Sequence, residues 1–205
     1  MNRRSFLVAL GVTMLAAAGQ AVANAAIEVT RAQLDVVAET GGDSDARRAP
    51  VEHTLLLSAD IQLPLTETLK DSIDRGLALY FQTDVQVVRP RWYWLNEEVI
   101  STSIEWRLSY HALTRQYRVA TNAQGQTAAT LDEALAVMSS IRAVPIGRVA
   151  NLSPGQHYDV WVRMRLDTGR LPKPFQMTAM TNRDWNPQSE WKRFDFIAPR
   201  LNDGR

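Results

Sequence analysis

The sequence predicts an α+β, β-rich fold: an antiparallel sheet or sandwich of about seven to eight strands with two packed helices, following a cleaved signal peptide. Three observations predict it. Long stretches alternate apolar and polar residues with a period of two, above all from Ile100 to Ala112. Only two windows, 66–80 and 130–141, carry the three-and-four spacing of an amphipathic helix. Strand-like segments succeed one another through short turns, without the helix-alternating rhythm of a parallel sheet.

At the amino terminus, Arg3 and Arg4 precede a non-ionic run from Ser5 to Ala26, with Ala21-Val22-Ala23 as a small-x-small peptidase site. These are the three regions of a secretory signal, expected over residues 1–23. The apolar stretch proper, Phe6 to Ala18, is shorter than the roughly 20 residues a helix needs to span a bilayer, so the mature form is not expected to be membrane-embedded. Arg3-Arg4-Ser5-Phe6-Leu7 also fits a twin-arginine signal, leaving general secretory and twin-arginine export both open. Periplasmic localisation is the expectation. Cleavage leaves 182 of the 205 residues, the right size for one β-rich domain over 24–205.

Residues 27–38 read as a strand leading into Gly41 to Arg48, which has almost nothing to bury and is expected to form a mobile loop near 39–50. Leu55, Leu57, Ala59, Ile61 and Leu63 mark a half-buried strand that Pro64 ends. Thr66 is placed to cap a helix running to about Tyr80, with Leu65, Leu69, Ile73, Leu77 and Tyr80 on one stripe. Phe81 to Leu95 has strand composition interrupted by Pro90, and Asn96-Glu97-Glu98 is expected to turn the chain into the Ile100–Ala112 strand. A strand over 116–120 follows. Thr130, with Glu133 three residues on, predicts a second helix to Ile141. Tyr158 to Leu166 alternates again, and short strands near 175–180 and 193–197 complete the set.

Composition excludes several function classes. There is no cysteine, which removes disulfides, a lipidated cysteine, thiolate metal sites and c-type haem. Loss of Arg3 and Arg4 turns 23 Lys+Arg against 22 Asp+Glu into 21 against 22. A neutral mature protein without a basic cluster gives no reason to expect nucleic acid. His53, His111 and His157 fall on separate segments without metal-ligand spacing, and no phosphate-binding glycine pattern is present, so no metal and no cofactor are expected.

Four patches together resemble one family: Gly76 to Phe81, Arg91-Trp92-Tyr93-Trp94, Leu108 to Val119, and Leu166-Asp167 through Leu171-Pro172-Lys173-Pro174-Phe175-Gln176. In that order, over about Ile27 to Trp191, the chain resembles the exported proteobacterial domain of unknown function 4390. The resemblance implies an amino-terminal signal and no assigned activity. It also implies a gene neighbourhood that often includes a sensor kinase of the nitrogen-regulation type, making an envelope protein or such a kinase the partner to consider.

Catalytic constellations are thin. Ser189-Glu190-Trp191-Lys192 matches S-x-x-K by letters, but the companion motifs of that chemistry are missing and there is no G-x-S-x-G elbow. The calcium-like Asp43-Ser44-Asp45 lacks its downstream glycine and glutamate. Glu97, Glu98, Glu105, Asp159 and Asp167, with tryptophans near them, keep open an envelope glycan-binding protein or glycoside hydrolase. Cross-strand pairing of Glu105 and Asp159 with Arg107 and Arg163 explains those two carboxylates better. Around Arg91, alternation puts Trp92 and Trp94 on one face and Arg89, Arg91 and Tyr93 on the other, with the tryptophans expected in the core. The prolines of Leu171 to Phe175 are expected to hold an extended segment with Lys173 outward. The preferred reading is a periplasmic binding or signalling-accessory module without catalytic activity, whose interface uses Arg91, Arg107, Arg163, Arg165, Lys173 and Phe175.

Overall fold

A computed structural model describes residues 26–39, 52–93, 96–121 and 124–200. The expected signal peptide, most of the expected loop near 39–50 and Trp94 lie outside the described residues.

Two antiparallel sheets face each other across one apolar core. In chain order the strands are β1 (Glu28–Glu39), β2 (Glu52–Gln62), β3 (Leu79–Arg89), β4 (Glu97–His111), β5 (Gln116–Thr121), β6 (Gly125–Ala128), β7 (Ser140–Arg148), β8 (His157–Leu166) and β9 (Lys192–Ile197). The smaller sheet has the order β1-β2-β7 and the larger β6-β5-β4-β3-β8-β9. Helix α1 (Glu67–Asp74) links β2 to β3, α2 (Leu131–Ser139) links β6 to β7, and α3 (Lys173–Thr181) lies between β8 and β9. The β-rich α+β fold thus follows the sequence reading, with nine strands and three helices among the described residues.

Alternation explains the layering. Leu55, Leu57, Ala59 and Ile61 of β2 face Leu79, Phe81, Val85 and Val87 of β3, Trp106 and Leu108 of β4, and Tyr158, Val160, Val162 and Met164 of β8. The intervening residues of β3, β4 and β8 form the outer, wet face of the larger sheet. Thr83 is the polar exception inside: its Oγ1 accepts the indole N–H of Trp106 at 3.2 Å, so neither buried polar atom is orphaned.

Both expected caps form. Thr66 Oγ1 accepts from Leu69 N–H, and Thr130 Oγ1 accepts from Glu133 N–H at 3.2 Å while the Glu133 carboxylate accepts from Ala129 N–H at 2.9 Å. Three extents differ from expectation. Helix α1 stops at Asp74 rather than near Tyr80, because Gly76 takes φ 92° and closes a double C-terminal turn: Leu77 N–H donates to Ser72 O and Gly76 N–H to Ile73 O. Helix α2 gives way at Ser140 to β7, so Ile141 is buried as a strand residue. The expected strand near 175–180 is helix α3, because proline's fixed φ is pre-organised for a first helical turn as well as for extended chain.

Tyr117 fastens β5 to the end of α1, donating its hydroxyl to Asp74 Oδ1 at 2.6 Å. That bond, with burial adding to it, pushes the phenol up to about 12. A phenol raised above its free value near 10 stabilises the fold below that value and loses its contribution as pH climbs through the folded one. Tyr117→Phe should therefore cost about 0.5–1 kcal/mol at neutral pH. In urea titrations the gap to wild type should close between about pH 10 and 12.

Candidate functional site

The β3-β4 hairpin ends in a tip that the strand pattern misplaces. β3 stops at Arg89, before Pro90, so alternation no longer governs the residues beyond it. Trp92 is 93% exposed and Tyr93 68%, contrary to the expectation of core tryptophans. Their rings meet edge to face at 5.0 Å and 74°. Below them the hairpin is braced: Arg91 pairs with Glu97, and Arg91 N–H donates to Asn96 Oδ1 at 3.3 Å. Arg89 donates to Ser153 Oγ at 2.7 Å and to the Tyr158 hydroxyl at 2.9 Å, and its guanidinium lies 5.6 Å from the Tyr158 ring centre. Burial pushes the Tyr158 phenol up, but hydrogen bonds from Arg89 and Ser153 outweigh it and hold the group below its ordinary value.

The arginines of the sheet are already engaged. Asp84, at the centre of the wet face, receives Arg163 and Arg165 at 2.9 Å each and Ser103 Oγ at 3.2 Å. Desolvation pushes its carboxyl up, yet the two guanidiniums overcome that and leave it below the usual range. Arg163 also stacks 4.3 Å over the Trp191 ring, and Arg165 bonds Gln82. Arg107 is exposed, 5.9 Å from the Tyr80 ring, which Arg170 approaches at 5.0 Å from the other strand neighbourhood while pairing with Glu105 at 3.0 Å. The role of Arg170 was not visible in the sequence, because the short turn after β8 that carries it leaves no periodic signal, and its partner Glu105 lies on β4.

Arg107, Arg163 and Arg165 share one face, but Arg91 and Lys173 stand at opposite ends of the sheet. Phe81 pairs with Leu166 at the α3 end and Val88 with Asp159 at the tip end. Seven residues of strand, about 23 Å, separate the two rows. Lys173 is exposed at the start of α3, whereas Phe175 is half-buried with its ring 4.8 Å from Trp185. The six residues do not form one surface.

At the tip end, on the outer face, β8 and β9 bring together three metal-capable side chains. His157 and Asp159 are two apart on β8, and Asp159 pairs directly with Asp195 of β9. Their donor atoms lie within 4.8 Å of one another, with His157 Nε2 3.2 Å from Asp195 Oδ1. Arg193 sits between, 2.8 Å from Asp159 Oδ1 and 3.9 Å from Asp195 Oδ1. The other histidines are apart from it: His53 is the second residue of β2, and His111 closes β4, bonded to Thr114.

Ser189 is buried and structural, its Oγ accepting Met164 N–H at 3.0 Å while its own N–H donates to Met164 O. A hollow of about 800 Å³ opens between the start of β1, the end of β2 and the start of β9, with Glu28, Glu190 and Trp191 among its lining residues. No helix among the described residues is long and apolar enough to cross a membrane.

The family model described as a domain of unknown function, number 4390, matches residues 44–195. The chain belongs to that family. The match runs from the segment preceding β2 through Asp195, and so takes in the β3-β4 tip, the arginine face and the β8-β9 cluster. No curated protein and no solved structure matches the chain.

Proposed function

We propose that this protein works in the periplasm as a non-catalytic binding or signalling-accessory module that docks an envelope protein, a sensor kinase among the candidates, through the β3-β4 tip. The observation that carries the reading is the exposure of Trp92 beside Tyr93 on a hairpin braced from below by Arg89 and Arg91. Tryptophan, tyrosine and arginine are the commonest interface anchors, and a braced tip loses little freedom on docking. Export is supported by the composition of residues 1–23. Arg163 and Arg165, engaged with Asp84, are support for the sheet rather than free contacts.

A glycan-directed reading draws on the hollow lined by Glu28, Glu190 and Trp191. Both glutamates are exposed there, whereas a glycosidase acid works from a water-poor setting. Of the carboxylates first considered, Glu97, Glu105, Asp159 and Asp167 each have an arginine on them, which suits ion pairing rather than proton transfer.

Capture from envelope extract tests the tip. Trp92→Ala should weaken retention of a partner about thirtyfold, the effect of losing an anchor worth 2 kcal/mol, while stability changes by less than about 0.5 kcal/mol. Leu113→Ala, at the exposed β4-β5 turn of the opposite end, should leave retention unchanged. Retention that ignores Trp92→Ala and Tyr93→Ala places the interface elsewhere. Release of captured material by soluble glycan would favour the glycan reading.

A further inference from the structure

Two aspartates directly opposite one another on neighbouring strands repel, and a cation between them relieves the repulsion. Asp159 and Asp195 are that pair, on the outer face where β8 meets β9. A single guanidinium serves both, and unequally: Arg193 is in contact with Asp159 at 2.8 Å but 3.9 Å from Asp195. Two carboxylates thus share one guanidinium. The Asp159 side chain is only 8% exposed, whereas Asp195 is 71% and Arg193 51% exposed. A third donor is already aimed at the pair, since His157 Nε2 lies 3.2 Å from Asp195 Oδ1.

We propose that His157, Asp159 and Asp195 form a binding site for a divalent transition cation of the zinc class, with Arg193 holding the place of the ion in the metal-free protein. One imidazole and two carboxylates are a donor set that Zn²⁺ accepts, and their number leaves a position for water. Tetrahedral donors at about 2.1 Å from an ion stand about 3.4 Å apart. The present spread of up to 4.8 Å closes when the exposed Asp195 and the half-exposed His157 turn toward the buried Asp159. Arg193 then swings to solvent beside Trp161, whose ring it already approaches at 5.8 Å. A dication neutralises two carboxylates that one guanidinium leaves undercompensated. The site is independent of the docking reading of the tip, although both lie at the same end of the sheet.

The sequence carries half of this signal. His157-Tyr158-Asp159 puts two donors on one face of a strand, but the third comes from residue 195, and strand order is what brings it near.

Calorimetric titration of untagged protein, purified from cells expressing the full chain, with ZnCl₂ tests the proposal. One Zn²⁺ should bind per chain, and Co²⁺ should show visible absorption of a low-coordinate site. His157→Ala and Asp195→Ala, at half-exposed and exposed side chains, should abolish binding with unchanged melting of the metal-free protein. His111→Ala should bind as wild type does. Arg193→Gln should bind about tenfold tighter, because the competing cation is gone. The proposal is overturned by wild type that fails to bind stoichiometrically, even if Arg193→Gln binds, since the arginine is then the resident cation. Binding that survives His157→Ala, or that Arg193→Gln leaves unchanged or weakens, overturns it as well.

Discussion

Asp84→Asn should destabilise the protein by about 2–4 kcal/mol, the discounted cost of leaving partly buried cations without their counterion. The substitution keeps volume and shape and removes only charge. Arg163 and Arg165 each reach Asp84 at 2.9 Å, and the carboxylate is largely withdrawn from water. Neither arginine is free to leave: Arg163 lies over Trp191, and Arg165 is tied to Gln82, which also donates to Asp167 at 3.1 Å. The Arg163 Nε is buried without a partner, so that side chain already bears a desolvation cost which Asp84 offsets. For a chain of this size the loss amounts to a fall in melting temperature of about 8 °C, measurable by calorimetry. If both guanidiniums simply turned to solvent, the fall would stay below about 2 °C.

The same site fixes the direction of acid sensitivity. Although burial alone would raise the Asp84 carboxyl, the arginines depress it below its unfolded value near 3.9. A depressed carboxyl contributes stability above that unfolded value and loses it as pH falls through the folded one. The difference between wild type and Asp84→Asn should therefore be constant from about pH 5 to 8 and shrink below pH 4. A difference that grew on acidification would contradict the assignment.

Asp84 also illustrates what one sequence can and cannot reveal. Its place on a wet face opposite arginines follows from strand period, as does the pairing of Arg163 with a carboxylate. Which carboxylate does not follow: Glu105 and Asp159 were the expected partners, and they go instead to Arg170 and Arg193. Period gives a residue's face, while register and strand order give its neighbours, and those depend on contacts far apart in the chain. Helix ends show a related limit. Leu77 and Tyr80 continue the stripe of α1, yet Gly76 turns the chain before either, so the apolar spacing outlasts the helix. β7 was hidden because Ile141 fits both a helical stripe and a core strand, and because Pro145 and Gly147 weaken its strand signal. β6, Gly125–Ala128, has no large apolar residue to declare it. The caps of α1 and α2 were readable because they depend on residues three apart. At the tip, Pro90 was visible as an interruption; the consequence, that alternation stops and Trp92 turns outward, required the strand to end one residue earlier.

Phe175 shows the cost of reading rigidity from prolines alone, and Trp185 supplies the test. Pro172 precedes α3 and Pro174 stands in its first turn, which leads Phe175 and Ala179 inward at helical spacing while Met177 and Met180 remain exposed. Phe175 then meets Trp185, at 4.8 Å and a tilt of 31°, and Trp185 is buried in the turn that follows. That turn is tied back to α1 by Thr66, whose hydroxyl donates to Asp184 O at 3.2 Å. Trp185 thus seats α3 on the rest of the protein. Trp185→Ala should cost about 3–4 kcal/mol, the usual range for removing a buried indole, and lower the melting temperature by about 10 °C. Phe175→Ala, at a half-buried ring, should cost about 2 kcal/mol. The double variant should lose less than the two separate losses combined, by about 1 kcal/mol, since the ring pair can be broken only once. A recognition role for Phe175 predicts the opposite pattern: Phe175→Ala with unchanged melting, additive effects, and weaker capture of the partner. Because Lys173 is exposed on the same helix, at the end of the sheet away from the tip, Lys173→Ala should leave both melting and capture at wild-type values.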